Sequence, residues 1–285
     1  MGSRITDENL RRDSLFDRLR ETPITERRRV GERRLADILA NAGQREVAAK
    51  HLRRRWAIGV VAALAVMILA AGIGYFYEAP GGFADRRLSK AMGLNGSTLH
   101  IPIGRTPEEA VEKFRRFDTM RVVHREAVDG GVLLFIKRNI QPNGTELQVE
   151  FVRRTWLGWK WGMGGGYGIG YGEPGEAGVR SLLNYMTMPS KYPGVPGPYP
   201  LVVGELTDAS VAGVILKTSG EKPGKYAADI VEYEPGKRFW FVLLPEFAEL
   251  PYTVQALDDQ GNIAAEKTLK DPVNDTGDLR TSVGR

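Results

Sequence analysis

The chain of 285 residues has no cysteine, which excludes disulfides, thiol nucleophiles, thiolate-bound zinc and iron–sulfur clusters. Histidine is scarce. His51, His100 and His124 are the only imidazoles; none has a partner at ligand spacing, so structural or solvated roles are expected. A net excess of one charge is missing from most of the chain. The formal charge is +5, yet residues 1–55 alone hold 15 basic and 9 acidic side chains, leaving the rest close to neutral. Basicity therefore belongs to the N-terminal segment and not to a folded nucleic-acid surface, and no nucleic-acid partner is expected. Catalytic signatures are lacking too: there is no G-x-S-x-G elbow, H-E-x-x-H helix or Walker loop. Gly170, Gly172 and Gly175 match G-x-G-x-x-G, but without the strand–turn–helix setting that a dinucleotide needs. Asp258 and Asp259 in "DDQGN" lack calcium-loop spacing and read as a turn. No cofactor, metal or catalytic residue is expected, and a noncatalytic protein is the reading.

What the chain does have is a long apolar run, "RRRWAIGVVAALAVMILAAGIGYFY". From Trp56 to Tyr77 no side chain is charged, and a helix of that length spans about 33 Å, enough to cross a hydrocarbon core. A cleaved leader has an apolar core of only about 7–15 residues behind a short basic stretch. Arg53, Arg54 and Arg55 precede the run directly, whereas Glu78 is the first charge after it. The positive-inside rule then predicts a cytoplasmic N terminus and extracytoplasmic C-terminal domains at the cell membrane. Trp56 at one end, and Tyr75 and Tyr77 at the other, suit the headgroup level as membrane anchors. "MGSRIT" fits a myristoylation pattern, which an integral helix makes redundant.

Within the basic tail, 1–55, Leu15, Phe16 and Leu19 form one helical stripe and Leu35, Ile38, Leu39 and Ala42 another. Pro23 separates the two, Gly43 is placed to close the second, and a third run leads into the span. Such helices either rest on anionic lipid or dock a cytosolic protein.

Residues 78–172 predict an α+β external domain, with one helix on an antiparallel sheet. "TLHIPI" alternates as a strand; in "RTPEEAVEKFRRF", Thr106 is a cap, Pro107 suits the first helical position and Glu109 completes a capping box. "MRVVHREAV", "GVLLFIKR" and "ELQVEFVRRT" follow as strands. In "TWLGWKWGMGGGYGIGYGEPGE", Trp159, Trp161 and Met163 alternate along one strand face with Lys160 on the wet side, and the glycine run reads as a flexible loop leaving the sheet. Trp156, Trp159, Trp161, Tyr167 and Tyr171 are the candidate aromatics, for packing or for stacking on a ligand, and packing is preferred for the tryptophans. The segment from "TPEEAVEKF" through "VEFVRRTWLGWKWGMGGG" resembles uncharacterised, membrane-anchored external proteins of Gram-positive bacteria. That resemblance implies a location and carries no activity.

Residues 173–200 read as a Pro/Gly-rich linker with one short helix, "AGVRSLLNYM". Six short runs then predict a small, Ig-like β-sandwich over 201–270, and 271–285 is expected to be a disordered tail. The whole predicts a single-pass membrane protein whose external modules bind or sense an envelope ligand or protein. The alternative is an anti-sigma-type transmembrane regulator holding a transcription factor through residues 1–55, although the H-x-x-x-C-x-x-C signature is missing; an exported hydrolase is weaker.

Overall fold

A computed structural model describes residues 24–117, 119–140, 144–169, 179–188, 197–270 and 276–282. The first tail stripe, Tyr171 and the G-x-G-x-x-G glycines lie outside the described residues. Two compact units are present, Met1–Gly72 and Ile73–Arg285.

Helix α1, Ile24–Glu78, runs unbroken for 55 residues. Gly43 therefore does not close a helix, because the flanking Ala, Leu and Arg residues are strong helix formers. One stretch of this helix, beginning at Arg54, has a mean hydropathy of 2.5 with nothing buried, long and apolar enough to cross a membrane. Arg53 lies within α1, and Arg54, Arg55 and Trp56 are helical and exposed or, for Arg53, simply helical. Tyr75 and Tyr77 are exposed in its last turn.

The second unit continues with α2 (Phe83–Ala91), β1 (Ile103–Gly104), α3 (Pro107–Arg115), β2 (Arg121–Val128), β3 (Gly131–Ile140), β4 (Gly144–Thr155) and β5 (Gly158–Ile169). It goes on through β6 (Val179–Met188), β7 (Leu201–Leu206), β8 (Gly213–Ser219), β9 (Lys225–Ala227) and β10 (Asp229–Glu234). The last elements are β11 (Lys237–Leu243), β12 (Glu249–Leu257), β13 (Ile263–Leu269) and β14 (Thr276–Ser282). The strands form three sheets, ordered β1-β5-β4-β3-β2, β10-β11-β7-β6-β14 and β13-β12-β8-β9. All of their pairings are antiparallel.

Helix α3 starts as its cap predicts: Thr106 Oγ1 accepts from Glu109 N at 3.2 Å. The Glu109 carboxylate reaches back to Arg105 N at 2.6 Å, one residue earlier than a standard capping box. Ala110 and Val111 of α3 then join Leu134, Ile136, Val152 and Trp161 in a core on one face of the first sheet. Its other face contributes Leu133, Phe135, Val149 and Phe151 to a core shared with Met186, Leu201, Val203, Phe239 and Phe241 of the second sheet. The far face of that second sheet, with Tyr185, Val202, Trp240 and Val242, packs on Leu216, Tyr252 and Val254 of the third. Strands β7 and β11 thus bury both faces, which is why they read as continuous apolar runs.

This stacking corrects several expectations. "TLHIPI" is a strand only at Ile103–Gly104. The supposed helix in 173–200 is β6, which pairs with β7 and β14 inside the second sheet; a short apolar run fits a buried strand or a helix equally by periodicity. The tail 271–285 carries β14 at 276–282, whose polar sequence is that of an edge strand that turns Leu279 into the core. The six runs of 201–270 are strands, but they divide between the second and third sheets, and the second packs against the first sheet as well as the third, so no boundary near residue 200 separates two cores.

Candidate functional site

Through Ile169 the glycine-rich stretch is not a loop. It is β5, paired with β4 from Thr155↔Gly158 to Thr145↔Ile169. Between Phe151↔Met163 and Val152↔Trp161 the register shifts, leaving Gly162 as a bulge. That extra residue sends Met163 to the face opposite Trp161, so the two do not share a face as the alternation suggested.

Trp161 is buried and stacks on Phe114 with ring centroids 4.2 Å apart. Its indole N–H donates to the Glu150 carboxylate, which also accepts from Arg115 Nε at 2.8 Å and from Gln148 Nε2 at 2.5 Å. The room for this buried carboxylate comes from Gly164: a Cβ there would stand 1.7 Å from Glu150 Oε2. Burial pushes the Glu150 carboxyl above its ordinary pKa, against the pull of Arg115. Trp159 is half-buried on the same cluster, with the Arg154 guanidinium 5.7 Å above its ring. Trp156 is 60% exposed at the β4–β5 turn. Tyr167 donates to Asn184 Oδ1 at 2.6 Å, joining β5 to β6.

Lys160 is not on a wet face. It is fully buried, with Nζ 2.5 Å from Asp85 Oδ1 and 2.8 Å from the carbonyl oxygen of Glu78. Asp85 also accepts from Gly81 N at 2.8 Å and Ile101 N at 3.0 Å, while the Glu78 carboxylate pairs with both terminal nitrogens of Arg153. Burial lowers the Lys160 pKa, and the Asp85 hydrogen bond and charge oppose this.

A cleft of about 980 Å³ opens where the edge strands β2 and β10 of the first two sheets lie close. At its base Lys137 Nζ donates to Glu205 Oε1 at 2.6 Å, in a pair that is almost fully buried. The Tyr233 hydroxyl donates to the same oxygen at 3.1 Å. Behind them, Asn184 Oδ1 accepts from Glu205 N and from Tyr167, both at 2.6 Å, so the aromatic of β5 braces the floor of the cleft. At the rim Arg121 and Lys237 share Glu234, with Lys237 at 2.6 Å. The Lys237 hydrogen bond and then that of Arg121 hold the Glu234 carboxyl below its ordinary pKa. Arg238 Nη2 donates to the Asp208 carbonyl at 3.2 Å. Burial, followed by the Glu205 charge, raises the Tyr233 phenol well above its ordinary pKa. Among the described lining residues, Lys137, Arg121, Lys237 and Arg238 thus face the carboxylates Glu205 and Glu234.

Of the sequence-predicted aromatics among the described residues, only Tyr167 is linked to this cleft, indirectly and as a brace. The cleft residues come from β2, β3, β7, β10 and β11 and carry no shared motif that sequence reading could detect. Among the described residues no group of three or more His, Asp or Glu is placed to hold a metal. His124 sits against Phe135, Phe239 and Phe241, a packing role. No family model, no curated protein and no solved structure matches the chain.

Proposed function

We propose that the chain is a single-pass membrane protein whose extracytoplasmic β unit is a noncatalytic binding or sensing module at the cell envelope, taking a polar, anionic ligand in the β2–β10 cleft. The observation that carries this reading is the lining of that cleft: among the described residues, four cationic side chains against two carboxylates, over a floor made rigid by the Lys137–Glu205–Tyr233 cluster. Arg121 and Lys237 share one carboxylate, so an incoming carboxylate or phosphate can take up donors that Glu234 does not use. A pre-formed concave site with few convergent polar groups is the usual form of a small-molecule pocket.

The test is calorimetric titration of the full chain in nanodiscs with a panel of small carboxylates, phosphates and cationic amines. Anion binding that weakens with salt and is lost in Arg121→Ala/Lys237→Ala supports the reading. Affinity weaker than about 1 mM for every anion, or equal affinity for amines, overturns it. For topology, protease added outside wall-stripped cells is expected to digest residues beyond 80 and spare the tail.

A second reading is favoured by Leu35, Ile38 and Leu39, which are 63–65% exposed along α1. In it the cytoplasmic part of α1 holds a transcription factor, in the manner of an anti-sigma regulator. Co-purification of such a factor with the full chain, abolished by Ile38→Glu, is the outcome that selects it.

A further inference from the structure

The β4–β5 turn is built to hold an aromatic outward. Thr155 Oγ1 accepts from Leu157 N at 3.2 Å and donates to the Gly158 carbonyl at 2.9 Å. Gly158 closes the turn at φ +136°, a value that suits glycine. Trp156, at the tip, keeps most of its surface exposed, an unusual expense of apolar area for a side chain in water. One edge of its indole, however, lies on Gly74: a Cβ at that glycine would stand 3.3 Å from the indole nitrogen. Gly74 is three residues before Tyr77, on the apolar side of the tyrosines that end the run, at about 1.5 Å of helix rise per residue. The indole therefore lies at the depth of that aromatic belt.

A second segment returns to the same level. Gly82 packs so closely on the last turn of α1 that a Cβ there would stand 2.4 Å from the Phe76 carbonyl oxygen. The next residue, Phe83, is 62% exposed. It opens α2, whose exposed charges are Arg86, Arg87 and Lys90, while its only acid, Asp85, is buried and paired with Lys160. Arg154, two residues before Trp156, is exposed as well.

We infer that the β4–β5 turn and α2 form a second membrane contact beside the span. Trp156 and Phe83 lodge at the headgroup–acyl boundary, and Arg86, Arg87, Lys90 and Arg154 bind anionic phospholipid headgroups. Apolar aromatics flanked by cations, with no exposed acid in α2, match such a boundary in both polarity and charge. The contact rests on α1 crossing the bilayer and is independent of what the β2–β10 cleft binds.

The absence of cysteine makes site-directed spin labelling direct. Nitroxide is placed through Trp156→Cys and Phe83→Cys, with Leu64→Cys as the reference inside the span and Ile263→Cys as the exposed reference on β13. The full chain is held in nanodiscs of phosphatidylcholine with or without phosphatidylglycerol, and relaxation by oxygen is compared with relaxation by a nickel chelate. The expected result is nickel accessibility at 156 and 83 several-fold below that at 263, falling further with phosphatidylglycerol. Labels at 156 and 83 as accessible to nickel as 263, while 64 stays lipid-embedded, overturn the second contact and leave the span intact. A water-accessible label at 64 overturns both. Accessibility indifferent to phosphatidylglycerol overturns the anionic headgroup assignment.

Discussion

Replacing Trp161 by alanine removes a ring that stacks on Phe114 and a donor to a buried carboxylate, so a loss of about 3–5 kcal/mol is expected. Trp159 packs on the same cluster but keeps part of its surface in solvent, and Trp159→Ala is expected to cost about 1.5 kcal/mol or less. Gly164→Ala places a methyl group where Glu150 Oε2 stands, and displacing that oxygen from Arg115 and Trp161 is expected to cost about 1–3 kcal/mol. Urea denaturation of each variant followed by circular dichroism separates these cases. Equal midpoints for the two tryptophan variants would contradict the burial difference. That Trp161 belongs to the core was legible from its place on an apolar strand. The Gly164 role was not, because it depends on a carboxylate 14 positions earlier that only the β4–β5 register brings opposite.

At the scale of elements, the last turn of α1 is tied to α2 and to strands β4 and β5 by a buried network of two cations and two carboxylates. Removing one partner of a buried pair is far costlier than the pair itself is stabilising, because the survivor keeps its desolvation penalty. Lys160→Met leaves the Asp85 carboxylate with only two backbone donors, and a loss of about 3–5 kcal/mol is expected. Adding Asp85→Asn to Lys160→Met removes the stranded charge and is expected to restore part of that stability. A double variant no better than the single one counts against the assignment. In the sequence Lys160 looked like the solvent-facing member of an alternating strand. Alternation separates two faces of a strand but does not say that either face is wet, and here both are covered.

For the whole molecule, the second sheet is buried on both sides, so a fragment beginning at residue 198 lacks β6, the strand between β7 and β14. It also exposes Leu201, Val203, Phe239 and Phe241. Such a fragment is expected to melt without cooperativity, whereas residues 79–285 are expected to show a cooperative transition; a sharp melt of the shorter piece would mean that the third and second sheets suffice. Alkaline pH probes the same packing. Tyr233, Tyr167 and Tyr252 all have phenols raised by burial. Above about pH 10 the unfolded chain releases these protons while the folded chain keeps them, so stability falls as pH rises further. Lys160, lowered by burial, acts in the opposite sense: it adds stability as pH rises toward about 10.4, where unfolded lysine also deprotonates. With three phenols against one ammonium, the urea midpoint is expected to decline above about pH 10. Tyr233→Phe is expected to lower the midpoint at pH 8, through loss of the Glu205 hydrogen bond, but to flatten the alkaline decline. Parallel pH profiles for the two proteins would exclude a Tyr233 contribution.

The long apolar helix, the capped start of α3 and the six strand runs after residue 200 were determined by the sequence alone, since each depends on neighbours a few positions away: uninterrupted hydropathy, a Thr-Pro-x-Glu cap, short alternating or continuous apolar runs between turn residues. What only the tertiary structure decided was which faces meet. Short apolar runs such as "RSLLNYMTM" carry no internal sign of helix or strand, and β6 became a strand because β7 and β14 supply its backbone partners. The polar β14 joined the sheet for the same reason. Gly162, Gly164 and Gly166 of β5 read as a loop in the sequence, but β4 pairs with them, and Phe151, Glu150 and Gln148 occupy the space that side chains there would need. The β2–β10 cleft draws its charges from five strands spread between residues 121 and 238, and a site assembled from that many separate elements exists only once the sheets have stacked.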